Sequence, residues 1–363
     1  MTRMLSRSIL FFNSIRFFHP SWFVMVMATG IVSIAFDTLG FEAIAKALLV
    51  LNLLLYPVFC SLFAARIVFF TRDLIAELRV LSRSWLFLAF VAGTNTVGVQ
   101  LILFTQENSL ASVLWYAAFF AWLIFISFII FNTLILPRSS AVNSICGTTL
   151  LLTVSTVSIV LLGSQLLDVT DENTWRFLVL WGIWILGCVL YLFTIHLIIR
   201  HLFFNHFALK NWQPSYWICM GALAIITLAG SELLAHLPRS LYDALGRATS
   251  DISFFAWAWG TLWIAYLLIM DIRKLTCGLD STAAWIKIFP WTRLACKGQY
   301  RAYDIEAWGR VFPAGMYTAC TFSLAGISGY HLLESMAFYW CWFALLIWLL
   351  TLIGTFSSLV DDR

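Results

Sequence analysis

Ten apolar runs, each close to the length needed to cross a lipid bilayer, follow one another along the chain and leave little room for anything else. They fall at roughly 21–38, 46–70, 85–104, 110–136, 142–167, 175–205, 214–236, 251–270, 308–330 and 334–359. About 30 Å of hydrocarbon, at a rise of 1.5 Å per residue, asks for about 20 residues. With no water in that layer a crossing backbone must satisfy its own polar groups, and a helix does so within one segment. Only 11% of the 363 residues are charged and 62% are hydrophobic, against about 25% charged in soluble domains. The expectation is an all-α membrane protein with ten transmembrane helices in a single transmembrane domain over residues 1–363.

Charge placement orients the chain. Of the 22 basic residues, all but Lys46, Arg176, Arg239 and Arg247 fall in segments on the same side as the N-terminus. Basic residues concentrate on the cytoplasmic side, so a multi-pass protein of the cell membrane with both termini cytoplasmic is expected. The net charge of +4 then faces anionic lipid, not nucleic acid. The short N-terminus, with Arg3, Arg7 and Arg16, leads straight into the first span without a cleavable secretion signal. Most connections are short. The exception is a basic cytoplasmic loop at 271–306 holding Trp285, Trp291 and Cys296, of which Ala283–Trp291 reads either as an interfacial helix or as a linker. Six of the eight cysteines lie in spans and no CxxC occurs, which indicates inert thiols, not disulfides.

Glycine and tryptophan alternate between successive spans. The odd-numbered spans carry Gly30, Gly93, Gly98, Gly147, Gly163, Gly221, Gly230, Gly309, Gly315, Gly326 and Gly329, and the even ones only Gly182, Gly187, Gly260 and Gly354. Tryptophan runs the other way, with Trp22, Trp85, Trp217 and Trp308 the only four in odd spans, each at the entrance. In "SWFVMVMATG", "SWLFLAFVAGT" and "AWGRVFPAGM" a glycine follows the tryptophan by seven or eight residues; in "SYWICMGALA" it follows by four. This is a hairpin repeated five times. Bulky aromatics suit lipid and the headgroup belt, whereas glycines and hydroxyls suit close packing or a watered lumen. The reading is an inner ring of odd helices around a central pore, with an outer ring of even helices. The alternative is a bundle packed on small residues with no lumen.

Two stretches carry a resemblance. "HPSWFVMVMATGI" at His19–Ile31 resembles the entrance motif of the tellurite-resistance/dicarboxylate transporter family, also called the voltage-dependent or slow-type anion channel family, whose usual form has glycine in place of Ala28. "AWGRVFPAGMYTACTFSLA" at Ala307–Ala325 is similar to that family's ninth-helix motif, a tryptophan followed by Phe-Pro-x-Gly. The resemblance implies five inner helices around a pore, a homotrimer with one pore per protomer, and a phenylalanine plugging the pore, which falls here on Phe312. The alternative is that Phe312 is a core aromatic with no gating role. Candidate lining residues are Thr29, Gly30, Gly93, Thr94, Thr153, Gly221, Pro313 and Gly315. Gly30 lies about ten residues, or about 15 Å, past Pro20, near the bilayer midplane. Pro313 lacks a backbone donor and can kink its helix to turn Phe312 inward.

Ionisable groups deep in the membrane, which mark coupled carriers and pumps, are scarce. Glu232 falls near the outer face, His196 near the inner end of its span, and Arg310 at an inner entrance, two positions from Phe312 and so on a different face. Basic residues at the inner mouth (Arg16, Arg83 and Arg310, with Arg138) can favour anions over cations. The expected function is passage of small anions, either organic acids such as malate or inorganic ions, through a pore gated by Phe312. The alternative is a proton-coupled C4-dicarboxylate carrier on the same fold. Bis-histidine haem ligation fails because His201 and His206 follow His196 at steps of five, off one helical face. No HExxH, GxSxG or P-loop pattern supports an enzyme, and neither cofactor nor metal is expected.

Overall fold

The computed structural model describes residues 15–135, 144–167, 174–204, 208–276 and 305–361. Arg138, His206 and loop residues 277–304, with Trp285, Trp291 and Cys296, lie outside the described residues. Within the described residues all regular structure is helical. The long helices are α1 (Trp22–Thr38), α2 (Glu42–Phe69), α3 (Leu88–Thr105), α4 (Asn108–Ile135), α5 (Leu151–Gln165), α6 (Thr174–Phe204), α7 (Ile218–Ala235), α8 (Arg247–Thr276), α9 (Trp308–Ser328) and α10 (His331–Asp361). Among the described residues, eight helical segments are long and apolar enough to cross a membrane. The two that fall outside that set are α1, with 17 residues, and α9, which carries Arg310, Thr318 and Thr321. Helix α8 continues to Thr276, so Asp271, Arg273 and Lys274 belong to its last turns and not to a loop.

Packing follows the glycine and tryptophan alternation. Helix α1 packs on α3, α3 on α5, α5 on α7, α7 on α9, and α9 back on α1. Each even helix lies chiefly on the odd helix that precedes it. In the most apolar stretches of α3, α5 and α7, 78–89% of residues are buried, against 22–33% in the even helices. The even helices expose Leu54, Phe120, Phe131, Leu192, Phe255, Leu262 and Tyr339, apolar side chains of the kind that face lipid.

The tryptophans do more than face lipid. Trp122 on α4 donates its indole N–H to Thr156 on α5 (3.0 Å), Trp348 on α10 to Thr29 on α1 (3.0 Å), and Trp257 on α8 to Thr321 on α9 (2.9 Å). Trp115 and Trp184 donate to the carbonyls of Ile159 and Ile226. Trp308 reverses the pattern, from α9 to Thr355 on α10 (3.1 Å). Trp184 is fully buried, whereas Trp175 is 62% exposed. Hydroxyls on the odd helices therefore serve as acceptors for the even ones.

Every odd helix opens with a tight turn. The amides of Trp22 and Phe23 bond the carbonyls of His19 and Pro20. Short 3₁₀ turns, Trp85–Phe87, Gly147–Leu150, Pro214–Trp217 and Ile305–Ala307, precede α3, α5, α7 and α9. Helix α9 ends at Gly329 with φ of 71°, a left-handed cap that glycine adopts without strain.

Close approach explains the glycines. A Cβ built on Gly147 would stand 2.2 Å from the backbone of Ser215, while one on Gly182 would meet nothing within 4 Å. Gly147→Ala is expected to lower the thermal unfolding midpoint in detergent, by an amount equivalent to about 1–3 kcal/mol of overpacking. Gly182→Ala should leave it unchanged or slightly higher. Parallel melts of the two variants check the contrast.

Candidate functional site

The five odd helices begin at one end of the bundle, and a cavity of about 800 Å³ lies between their starts. Ser21 and Val24 reach it from α1, Leu86 from the turn ahead of α3, Leu151 from α5, Ile218 from α7 and Gly309 from α9. Thr148, Gln213 and Ser215 line it too, so aliphatic and polar uncharged groups mix there. Charge lies around the rim, on Arg16, Arg66, Arg83, Asp73, Glu77 and Glu306.

Glu77 organises that rim. It sits on the eight-residue helix Thr71–Leu78, which connects α2 toward α3. Its carboxylate bonds Arg66 at 2.6 Å, Arg83 at 3.4 Å and His19 at 3.3 Å. Arg66 also donates to the Phe18 carbonyl and is 5% exposed. Leaving one member of such a buried pair alone costs about 3–5 kcal/mol, so the pair pins the short helix over the start of α1. Arg16 bonds Asp73 at 2.6 Å on the same helix.

His19 receives the Ser21 amide on Nδ1 at 3.0 Å, which leaves Nε2 to carry the proton toward Glu77. Burial pushes its pKa down to about 4; Glu77 opposes that shift, while Arg66 and Arg83 add to it. The ring is therefore neutral at pH 7.

The residues expected to line a conduit occupy seams between helices. Thr29 accepts from Trp348, and Thr94 accepts from Tyr56 at 3.0 Å. The Cβ direction of Gly30 meets Thr96 and Asn52, that of Gly93 meets Phe23, that of Gly221 meets Pro313, and that of Gly315 meets Ile31 and Val32. Thr153 is fully buried and its hydroxyl has no partner among the described residues. Of the expected basic residues, Arg16 and Arg83 lie on the cavity. Arg310 instead forms a two-bond pair with Asp271, at 2.8 and 3.2 Å. Phe312 is 1% exposed and follows Gly309 by three positions, one turn deeper on the same face. His196 is exposed on α6, and Glu232 lies 4.0 Å from His236 at the far end of α7.

The profile of the voltage-dependent anion channel family matches residues 17–356. The chain belongs to that family. Two uncharacterized transporters of Methanocaldococcus jannaschii are similar to this anion channel family member along nearly its whole length. One is 23% identical over 96% of this chain and 97% of its own, and the other 22% over 94% and 93%. An uncharacterized membrane protein of Mycobacterium tuberculosis is 25% identical over 40% of this chain and 64% of its own length. Family membership implies anion transport by a multi-pass membrane protein and points away from an enzyme.

Sequence reading of this channel family member passed over Arg66, Glu77 and His19 as site residues. Glu77 stands 58 positions from His19 and nothing local marks the pairing. The available signal was an arginine near the end of an apolar run, which needs an acid to be buried.

A depressed histidine pKa favours folding above the unfolded value of about 6.5, and that contribution is lost as pH falls from 6.5 toward 4. The thermal midpoint of the wild type should therefore fall more steeply over that window than that of His19→Gln. Melts at matched pH values read the difference.

Proposed function

We propose that the protein is a passive anion pore of the cell membrane, held closed here, with its vestibule and both termini on the cytoplasmic side and one pore in each protomer of a homotrimer. In this reading the five odd helices form the inner ring and the even helices the outer ring, as five hairpins. The observation that carries it is the shared vestibule into which all five odd helices open.

Which face of each helix looks down the axis follows from the residues lining that vestibule. Stepping inward by three, four or seven positions leads from Val24 to Met27 and Ile31, from Ile218 to Ala222 and Ile225, and from Gly309 to Phe312 and Met316. Met27, Ile31, Phe312 and Met316 are each at most 1% exposed. An apolar constriction of this kind closes a pore by excluding water. Phe312 is the largest side chain in it and serves as the gate, turned inward where Pro313 interrupts α9. The glycines and hydroxyls act one layer back, letting helices approach and anchoring the outer ones.

Anion preference rests on backbone more than on side chains. Around the rim Arg16, Arg66 and Arg83 are offset by Asp73, Glu77 and Glu306. No side chain caps the first residues of helices α1, α3, α5, α7 and α9 themselves, although Cys146 and Thr149 form a capping box on the turn ahead of α5 and His19 takes the Ser21 amide ahead of α1. Each such end carries about half a positive charge, and all five are aimed at the vestibule. Small anions, whether organic acids such as malate or inorganic ions, are the substrate class. An inside-negative potential drives them outward by about 2.3 kcal/mol per charge per 100 mV. His196 on the exposed face of α6 and Glu232 at the far end of α7 stand off this axis, which leaves a proton-coupled dicarboxylate carrier with little support.

Phe312→Ala is expected to raise anion conductance across planar bilayers at least about tenfold, the change that about 1.4 kcal/mol of lost closure would produce. Glu232→Gln should leave it near the wild-type value. A well-folded Phe312→Ala protein without added current removes the gate, and pH-dependent uptake abolished by Glu232→Gln would favour the carrier.

A further inference from the structure

Behind the proposed gate lies a cluster of side chains that the conduction pathway does not use. Asp271, in the last turns of α8, accepts four hydrogen bonds on its two carboxylate oxygens. Trp212 reaches Oδ1 at 2.7 Å and Trp217 reaches Oδ2 at 2.9 Å. Arg310 supplies the other two, from Nη2 to Oδ1 at 3.2 Å and from Nε to Oδ2 at 2.8 Å. Lys274 adds a bond to the Trp212 carbonyl. The carboxylate is thereby fixed between the end of α8, the approach to α7 and the first turn of α9.

That first turn has one fewer hydrogen bond to the rest of its helix. Pro313 has no amide hydrogen, so the Gly309 carbonyl loses its partner in the helical ladder. Trp308 ties the turn to Thr355 on α10, and Gly309 packs against Ser215. The Pro313 ring packs where α7 carries Gly221, whose Cβ would stand 2.8 Å from it. Arg310 and Phe312 are two positions apart, about 200° around the helix. A pull on Arg310 toward α8 therefore turns Phe312 the opposite way, toward the vestibule axis.

We propose that Asp271 and Arg310 form a latch that sets the rotation of the first turn of α9 and so holds Phe312 across the pore. The inference rests on the reading of Phe312 as the gate. Asp271 and Arg310 are positioning residues: they act through Phe312 and do not meet the permeating ion. The two-bond geometry matters because a planar guanidinium against a carboxylate fixes orientation, which a single charge contact does not.

The test measures chloride currents in planar bilayers of the full-length protein carrying Asp271→Asn, Arg310→Lys, Phe312→Ala, and Phe312→Ala with each of the others. Size-exclusion profiles verify assembly. Asp271→Asn is expected to raise conductance about tenfold, within the usual span of coupling between two sites. Arg310→Lys, which keeps the charge but cannot make two parallel bonds, should give a smaller rise and carries the test if Asp271→Asn does not fold. Neither change should add to the conductance of Phe312→Ala, because the group they position is gone. Wild-type conductance in folded Asp271→Asn or Arg310→Lys, beside an open Phe312→Ala, overturns the latch alone. So does an equal increment on top of Phe312→Ala. A silent Phe312→Ala defeats the gate reading, and the latch with it.

Discussion

A polar hydrogen inside hydrocarbon must find an acceptor within the protein, and this requirement shapes the chain above the level of single helices. Backbone groups are satisfied along each helix. The indole N–H of tryptophan is not, and an unpaired buried donor costs about 1–3 kcal/mol. Trp122, Trp257 and Trp348 meet that requirement with Thr156, Thr321 and Thr29 on the neighbouring odd helix. Each such bond joins an aromatic helix to a slim one and fixes which face of the slim helix is turned outward. Once the outward face is taken, the opposite face is left for the interior of the bundle.

Local spacing made much of this legible. Helicity and crossing length follow from the apolar runs, eight helical segments among the described residues being long and apolar enough to cross, and the pairing of slim with aromatic helices follows from where Gly30, Gly93, Gly221 and Gly315 fall relative to Trp122, Trp184 and Trp348. The direction in which each glycine points was not legible. Gly30 is a small residue near mid-depth whether it lines a conduit or admits Asn52 and Thr96 of the adjoining helices, and only the helix rotations distinguish the two. The same limit hid Glu77. Its three cationic or imidazole partners come from α2, from the short helix Leu81–Ser84 and from the approach to α1, and only the folded backbone brings them together.

Arg310 has a partner that its place in the sequence did not reveal. Its position at the mouth of the ninth span was readable, and a basic residue at a pore mouth suggests attraction of anions. Asp271 changes the argument, because a cation bonded through two donors to a carboxylate has its net charge cancelled and leaves a dipole, whose field falls off faster than that of a free charge. The arginines on the vestibule rim are offset in the same way by Glu77 and Asp73. What remains at that end of the bundle is the backbone: five helix starts beside one cavity, of which those of α1 and α5 have a side chain on an approaching amide, through His19 and Thr149.

That division of labour has a physical advantage. A free arginine in a narrow, poorly hydrated mouth would bind an anion strongly, and strong binding slows release. Partial charges on several amide groups attract an anion without holding it in one place, and they need no side chain in the path. Fixed charge can then be used for structure, with Glu77 and Arg66 securing the rim and Asp271 and Arg310 securing α9. In the proposed pore, then, the charged residues set positions and the uncharged ones close the path.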